Sequence, residues 1–317
     1  MSRAALICLF ADIFIEFCHM VPTGKLVIIG GAVDLGTTLN YNENIDHPHY
    51  LKFFERGILR RLITEAGKEG DTAVEVITTA SKIPEIIGPE YVKSFGQLQV
   101  NRVNVLDIRT REDTRNQEYL DRISGADVVI FTGGDQLRLT SIFGGTEFLR
   151  ILKRRYQEDH FIVAGTSAGA AAASSNMLYR GSSSEALIKG EVQMTGGLGF
   201  IDSVIVDTHF VQRGRIGRLL YAVASNPGML GIGLGEDAGL LVTGGRFMEA
   251  IGSGLTILVD GRFINETNIY DVEIGSPVSI DNLKVHVMSI YDRFDLKTHQ
   301  LNINHVAAPA DDLTTGA

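Results

Sequence analysis

Ser167 is the residue with the clearest potential for chemistry, because it stands in a G-x-S-x-G pattern that runs from Gly165 to Gly169. An apolar run at 161–164 precedes the pattern, and an alanine-rich run at 168–173 that favours a helix follows it. Between a strand and a helix, this pattern forms a nucleophile elbow, which holds the serine hydroxyl clear of the backbone. The free N–H groups at the start of the helix then point to where an oxyanion would form. A tight turn around an unreactive serine explains the same pattern, so the two interpretations stay open at this point.

A serine nucleophile needs a base within hydrogen-bond distance and an acid that orients the base. Of the eight histidines, His209 is the one that directly follows a predicted strand, at 204–207, in the part of the chain expected to carry the site. Glu236 directly follows the next apolar strand, at 230–234. The order Ser–His–Glu differs from the Ser–Asp/Glu–His order of α/β-hydrolases, which argues against an ordinary esterase or lipase. A structural role for His209 is the alternative.

Three arginines follow closely behind His209, at positions 213, 215 and 218. Arg215 and Arg218 are three residues apart in a predicted helix (213–225) and therefore share one face of it. A guanidinium group binds a carboxylate through two parallel hydrogen bonds. The cluster therefore indicates a substrate rich in carboxylates, while an acid such as Asp207 is available for a substrate guanidinium. A solvated basic face that pairs with surface acids explains the cluster equally well.

The elements that must position these residues alternate between strand and helix from residue 25 to residue 173, which is typical of βαβ units and a parallel sheet with helices on both faces. Sites in such sheets lie at the carboxyl ends of the strands, where the glycine-rich corners at 30–31, 133–136 and 165–169 would meet. Residues 83–88 are predicted to be a loop, and residues 174–199 an irregular and partly mobile segment. From residue 239 onward, short β segments predict added antiparallel strands. The predicted strands are 25–29, 73–78, 103–108, 126–131 and 161–164, and the predicted helices are 50–67, 91–98, 148–156 and 168–173.

Composition narrows the class of protein. The chain has 317 residues, of which 44% are hydrophobic, and a net charge of −9 without a long basic run, so nucleic acid is not an expected partner. No apolar run reaches the roughly 18 residues that a membrane-spanning helix needs. The only cysteines are Cys8 and Cys18, which leaves no disulfide framework, thiolate metal cage or cysteine nucleophile in the rest of the chain. This composition fits a reducing compartment, and we expect a cytoplasmic protein.

The first twenty residues are apolar, and the alternative to a cytoplasmic location is export if they act as a signal. Asp12 and Glu16 interrupt the apolar run, and Arg3 is the only basic residue before His19. A signal peptide would have a basic start and an uninterrupted apolar core. We therefore predict an N-terminal extension at 1–23, a single α/β catalytic domain at 24–304 and a disordered tail at 305–317.

Two further patterns could indicate a metal or a cofactor. Asp46, His47 and His49 lie in a polar stretch, where such side chains are more often solvated than bound to a metal. The alternating glycines at 231, 233 and 235 resemble part of a dinucleotide loop, but no helix follows them and they come late in the fold. The sequence therefore predicts neither a metal nor a cofactor.

Three segments resemble the motif set of the cyanophycinase family. The similarity continues, in order, from about residue 25 to residue 300. The family comprises serine exopeptidases of the peptidase E-like clan, whose fold is similar to that of class I glutamine amidotransferases. The resemblance implies a mostly parallel sheet, a substrate with a polyaspartate backbone and arginine on each side-chain carboxyl, and hydrolysis to β-aspartyl-arginine dipeptides. The three segments are FTGGDQLRL at 131–139, AGTSAGAA at 164–171 and DTHFVQRGRIGRL at 207–219.

The resemblance also implies the roles of individual residues. Ser167 would be the nucleophile that forms an acyl-enzyme, His209 its base and Glu236 the orienting acid. The family usually has glutamine where this chain has Thr208, and the shorter side chain could alter the substrate preference. The oxyanion hole would consist of N–H groups of Ala168 and of the 133–135 loop, with Gly134 and Asp135 as candidates. The substrate pocket would contain Gln136, Asp207, Thr208, Arg213, Arg215 and Arg218.

Two other functions remain as alternatives. One is an Asp-X dipeptidase of the peptidase E type, which would accept α-aspartyl dipeptides, and the other is a binding protein that has lost turnover. The three arginines and the extent of the resemblance favour a cyanophycinase, and the presence of serine, histidine and acid argues against a binding protein. We expect a homodimer that acts on cyanophycin or a β-aspartyl peptide, without a nucleic-acid or membrane partner.

Overall fold

The computed structural model describes residues 21–36 and 57–305. Several predictions therefore lie outside the described residues, namely the nature of residues 1–20, the metal candidate at 46–49, the first part of the helix predicted at 50–67, and the tail after residue 305. Within the described ranges, no helix is long and apolar enough to cross a membrane.

The core of the structure is a mixed sheet of nine strands. Five parallel strands, in the order β1-β5-β4-β2-β3, form one half of it, and four antiparallel strands, β10, β11, β16 and β17, continue the sheet beyond β1. The predicted architecture of a mostly parallel sheet with antiparallel additions is thus confirmed. The strands are β1 (Lys25–Ile29), β2 (Ala73–Ile77), β3 (Arg102–Leu106), β4 (Val128–Phe131), β5 (Ile162–Thr166), β10 (Ala238–Thr243), β11 (Phe247–Gly252), β16 (Arg293–Asp295) and β17 (Gln300–Asn302).

A second sheet of four strands has the order β15-β12-β9-β8. Its first two strands along the chain, β8 (Val204–Thr208) and β9 (Leu230–Leu234), are parallel and adjacent, so their carboxyl ends lie side by side. The strands β12 (Thr256–Asp260) and β15 (Lys284–Met288) complete this sheet. Two small sheets pair β6 (Asn176–Arg180) with β7 (Gln193–Gly196), and β13 (Glu266–Thr267) with β14 (Ile280–Asp281).

Helices cover both faces of the large sheet because its strands are apolar on both sides. On one face, α1 (Ile58–Ala66) and α2 (Pro84–Gln97) pack on side chains such as Val76 and Ile130. The neighbouring residues Ile77 and Phe131 face the opposite core, which also includes apolar residues of the second sheet. That core contains residues of α3 (Gln117–Gly125), α4 (Gln136–Phe143), α5 (Glu147–Glu158) and α6 (Ala168–Ala173), while α7 (Ile216–Ser225) packs on the outer face of the second sheet.

Two local predictions were wrong. Residues 83–88 were predicted to be a loop because of their proline, but Pro84 is the first residue of α2, where the missing N–H costs no hydrogen bond. Residues 174–199 were predicted to be irregular, yet they supply the two strands of the β6–β7 hairpin. The helix α4 was not predicted at all, although Asp135 caps it by accepting a 2.9 Å hydrogen bond from the Leu137 N–H.

The glycines of the elbow allow α6 to pack directly on the sheet. A Cβ atom at Gly165 would lie 2.4 Å from the carbonyl carbon of Gly169, and a Cβ atom at Gly169 would lie 2.4 Å from the Phe131 oxygen. Both contacts are with backbone, which cannot rotate away as a side chain can. The close approach of α6 therefore depends on glycine at both positions.

We predict that Gly165→Ala lowers the free energy of unfolding by about 1–3 kcal/mol, because the added methyl group overpacks the contact between β5 and α6. Gly96→Ala is the matched control, since Gly96 lies in α2 and its Cβ would meet no atom within 4 Å. The control should be stabilising by about 0.5–1 kcal/mol, as expected for alanine in a helix. Urea denaturation of both variants measures the difference, and equal effects would contradict the packing argument.

Candidate active site

Ser167 lies at the turn between β5 and α6 with a backbone φ of +47° and ψ of −102°. This conformation is unfavourable for a residue with a side chain and is the strained geometry that a nucleophile elbow requires. Two backbone hydrogen bonds hold it, since the Ser167 N–H donates to the Ile29 oxygen and the Ser167 carbonyl accepts from the Ala171 N–H, both at 2.9 Å. The end of β1 and the first turn of α6 thus fix the serine in its turn.

The side chains of Ser167, His209 and Glu236 form a continuous line of hydrogen bonds. The Oγ of Ser167 lies 2.9 Å from Nε2 of His209, and Nδ1 of His209 lies 2.6 Å from Oε1 of Glu236. His209 directly follows β8 and Glu236 lies two residues beyond the end of β9, so the adjacent parallel strands bring them together. The serine comes from the large sheet and its two partners come from the second sheet, which places the site between the two.

The carboxylate of Glu236 is fixed at both oxygens. Its Oε2 accepts a short hydrogen bond from the backbone N–H of Ala32, while Oε1 is bonded to His209. Burial opposes ionisation, but the hydrogen bonds from His209 and Ala32 outweigh it and hold the pKa of Glu236 below its ordinary value. An ionised carboxylate can only accept, so Nδ1 of His209 carries the proton and Nε2 is left to accept from Ser167. A histidine held in this orientation has the geometry that a general base needs.

The loop before α4 lies against Ser167. A Cβ atom at Gly133 would be 3.4 Å from Cβ of Ser167, and Gly134, with a φ of +141°, packs on the Ala80 carbonyl. The N–H of Asp135 donates to that same carbonyl at 3.0 Å, so the donor that we expected from Asp135 is already engaged. Among the described residues, no acceptor is bonded to the N–H of Gly134 or of Ala168. These two groups also line the cavity beside Ser167, where they can donate to a ligand.

A cavity of about 130 Å³ opens beside Ser167. All six side chains that the sequence predicted for the pocket line it, together with Leu178 and Tyr179 from β6. These last two residues were missed because the β6–β7 hairpin was predicted to be irregular. The backbone N–H of Ala32 was missed as well, since a main-chain donor leaves no signal in the residue types. The six predicted residues are Gln136, Asp207, Thr208, Arg213, Arg215 and Arg218.

Asp207 and Arg218 form a buried ion pair under the cavity. The Nε of Arg218 donates to Oδ2 of Asp207 at 2.5 Å, its Nη2 donates to Oδ1, and its Nη1 donates to the Gly181 oxygen at 3.2 Å. Arg215 adds bonds of 3.3 Å to the same carboxylate and 2.7 Å to the Thr208 oxygen. The carboxylate of Asp207 is 2% exposed, so the expectation that it is available for a substrate guanidinium is wrong. Protein arginines already occupy it.

The remaining predicted pocket residues differ in whether their polar groups already have partners within the protein. Arg213 is exposed, and its guanidinium makes no ion pair with any residue in the described part of the chain. Thr208 is buried, and its N–H donates to Asp207 at 2.8 Å, so its side chain faces the cavity from a fixed position. Gln136 donates through Nε2 to the Leu178 oxygen at 3.2 Å. Of the three arginines, Arg213 is thus the one whose guanidinium is available for a ligand.

No group of three or more histidine, cysteine or acidic residues that could hold a metal occurs within residues 21–36 and 57–305.

A serine on a strained strand–helix turn, bonded to a histidine that a carboxylate orients, is characteristic of serine hydrolases as a class. Comparison with family models narrows the class, because Peptidase family S51 matches residues 55–250, and the chain belongs to that family. It is a serine-type peptidase.

Relatives that carry the name cyanophycinase are similar to this chain over most of both lengths. The one from Geminocystis herdmanii is 34% identical over 276 residues, covering 87% of this chain and 95% of the relative. The one from a Nostoc species is 35% identical over 271 residues, covering 86% and 85%. A crystal structure of a peptidase from an acI-B1 Actinobacterium, 19% identical, shares the fold with a TM-score of 0.58 and covers 86% of this chain and 100% of that one.

We predict that Arg218→Ala lowers the free energy of unfolding by about 3–5 kcal/mol, because it leaves the buried carboxylate of Asp207 without its principal partner. Arg213→Ala is the control from the same cluster, and it should change the free energy of unfolding by less than about 0.5 kcal/mol because its side chain is exposed. Chemical denaturation followed by circular dichroism measures both. A stable Arg218→Ala protein would show that the ion pair does not support the pocket.

Proposed function

We propose that this protein is a serine exopeptidase that hydrolyses cyanophycin to β-aspartyl-arginine dipeptides through an acyl-enzyme on Ser167. The observation that carries the proposal is the unbroken hydrogen-bond line from Ser167 through His209 to Glu236. The identity of 33–35% with cyanophycinases over most of the chain supports the choice of substrate.

The first half of the reaction forms the acyl-enzyme. Nε2 of His209, 2.9 Å from Oγ, takes the serine proton as Oγ attacks the scissile carbonyl carbon. The N–H groups of Ala168 and Gly134 donate to the oxyanion of the tetrahedral intermediate, which they stabilise more strongly than the planar carbonyl. The intermediate collapses when the imidazolium gives its proton to the leaving amine. Glu236 stays ionised throughout and stabilises the imidazolium.

The second half of the reaction releases the acyl group. Water enters the position that the amine has left, and His209 removes its proton as the oxygen attacks the ester carbonyl. Collapse of the second intermediate returns the proton to Ser167 Oγ and frees the carboxylic acid. The same histidine, oriented by the same carboxylate, thus serves both steps without any change in the geometry of the site.

The substrate presents both carboxylates and guanidinium groups, and the pocket offers mostly positive charge to it. The paired Asp207 fixes Arg218 and partly fixes Arg215, which leaves Arg213 at the edge of the cavity as the mobile partner for a substrate carboxylate.

The homodimer and the cytoplasmic location remain predictions. Light scattering coupled to size-exclusion chromatography measures the oligomeric state, and fractionation of the source cells determines the location.

We predict that the purified protein releases β-aspartyl-arginine from cyanophycin, identified by the mass of the product, and that Ser167→Ala lowers kcat by about 10³-fold or more, because the nucleophile is removed. Ser124→Ala is the control, since Ser124 lies on α3, does not line the cavity, and donates through its hydroxyl to the Leu120 oxygen. If the protein hydrolyses α-aspartyl dipeptides and not cyanophycin, it is an Asp-X dipeptidase and the proposed substrate is wrong. Normal turnover in Ser167→Ala would exclude serine catalysis.

We predict that Arg213→Ala raises KM for cyanophycin by about tenfold and changes kcat less, because a charge-assisted hydrogen bond to the bound substrate is lost. Arg115 is an exposed arginine that does not line the cavity; its side chain is 73% exposed and pairs with the similarly exposed Glu112 at 3.1 Å. Arg115→Ala is the control and should leave KM within about twofold. Steady-state kinetics of the two variants at one ionic strength makes the comparison. Equal KM values would mean that Arg213 belongs to the solvated surface.

A further inference from the structure

The orientation of Glu236 depends on the backbone that follows β1. Of the described residues, Ala32 supplies the N–H that bonds to Oε2 of Glu236, the oxygen that His209 does not use. The residue before it, Gly31, has a φ of +51°, and a Cβ atom there would lie 1.8 Å from the same oxygen. The loop backbone is thus in direct contact with the carboxylate, and a small shift of the loop would either break the hydrogen bond or push the carboxylate away from His209.

Asp237 holds this loop in place from the other side. Its N–H donates to the Ala32 oxygen at 2.8 Å, and its Oδ1 accepts from the Asp34 N–H at 3.2 Å. Its Oδ2 accepts from the hydroxyl of Ser253 at 2.6 Å and from the Ser253 N–H at 3.2 Å. One side chain therefore joins three segments of the chain, namely the loop at 31–34, the corner at 235–237 and the turn at 252–254.

The backbone of Asp237 also has an unusual conformation and a hydrogen bond to the turn at 252–254. Its φ of +45° is rare for a residue other than glycine, and its carbonyl accepts from the Gly254 N–H at 2.9 Å. Such strain persists only where the surroundings over-determine the conformation, and it is concentrated at functional sites. Asp237 does not line the cavity beside Ser167 and makes no bond with Ser167 or His209. Any effect on the reaction must therefore pass through its neighbour Glu236, which Asp237 reaches through the loop at 31–34 and through the backbone that the two residues share.

We propose that Asp237 is a positioning residue of the reaction: by tying the loop after β1 to the turn at 252–254, it keeps the Ala32 N–H on Glu236 and so keeps His209 aligned with Ser167. The proposal rests on the proposed function only in that it takes Ser167 as the nucleophile and Glu236 as the orienting acid. It does not depend on which peptide is the substrate.

Asp237→Asn is the sharpest single change. The amide keeps an oxygen for the Asp34 N–H but presents an NH₂ group to the N–H of Ser253, so two donors meet where an acceptor stood. We expect the loop to shift and kcat to fall about tenfold or more, with KM within about twofold, because the substrate pocket is untouched. Ser253→Ala is the milder variant, which removes only the 2.6 Å hydroxyl bond and should reduce kcat by a smaller factor.

Asp292→Asn is the matched control. Asp292 is 3% exposed, and it likewise accepts from the N–H and the hydroxyl of one serine, Ser289, at 2.8 and 3.3 Å, and from the N–H of a distant residue, Asn304, at 2.7 Å. It stands next to β16, outside the cavity. The two variants should lose similar stability, while only Asp237→Asn should lose kcat. Equal loss of kcat in both would overturn the proposal, since the effect would then be one of stability alone.

A double-mutant cycle with Glu236→Gln shows whether Asp237 acts through the acid. If it does, Asp237→Asn should change kcat by less than about twofold once Glu236→Gln is present, because the group it positions is already impaired. Full additivity would overturn the proposal. If Asp237→Asn does not fold, the same cycle with Ser253→Ala carries the test.

The rate at which a fluorophosphonate probe labels Ser167 gives a second readout that needs no peptide. We expect labelling of Asp237→Asn to be about tenfold slower than that of the parent protein, and labelling of Asp292→Asn to be unchanged. A parent protein that is labelled but does not cleave cyanophycin would refute the substrate and leave the role of Asp237 measurable. A parent protein that is not labelled at all would refute the nucleophile, and with it this proposal.

Discussion

The 2.9 Å hydrogen bond between Ser167 and His209 is the contact that constrains the relative position of the two sheets, because each sheet supplies one of the two residues. A bond of this length tolerates displacements of only a few tenths of an ångström. The large sheet must therefore hold the serine and the second sheet must hold the histidine in a fixed mutual position. A shared hydrophobic core supplies that rigidity. It contains Phe131 and Ala170 from the large sheet and its helix α6, and Val206 and Ile232 from the second sheet.

The electrostatics of the site are arranged in two layers with different purposes. Next to Ser167, the ionised carboxylate of Glu236 orients the ring of His209, and the N–H groups of Gly134 and Ala168 have no acceptor among the described residues. Beneath the cavity, Asp207 and Arg218 neutralise one another in a buried pair. Such a pair contributes little net stability, but removing either partner is costly. It gives the cavity a polar floor that hydrogen bonds from Arg215 and Arg218 hold together.

Much of this could be read from the sequence, and the failures have physical causes. The strands β1 and β9 have the predicted bounds to the residue, since both are short, apolar and ended by glycine. The elbow, His209 and Glu236 were found because each polar residue follows closely on a buried strand. The hairpin β6–β7 was missed because its two strands are only five and four residues long and are separated by small polar residues, so tertiary contacts decide their conformation. The ion pair between Asp207 and Arg218 could not be predicted, because the sequence does not show which charged side chains meet in the fold. The hydrogen bond from the Ala32 N–H to Glu236 could not be predicted either, because a backbone donor leaves no trace in the residue type.

The strand β1 lies between the two halves of the site. Ile29 is in register with Thr166, next to the nucleophile, on one side and with Gly239, just beyond the corner of Glu236, on the other. The spacing between nucleophile and acid is thereby set by main-chain ladders, whose geometry does not depend on side-chain identity. Part of the cavity wall comes from another element, β6, which supplies Leu178 and Tyr179. Substitutions at these two positions can accumulate while Ser167, His209 and Glu236 keep their distances, so the shape of the cavity can diverge in this scaffold without any change in the groups beside Ser167.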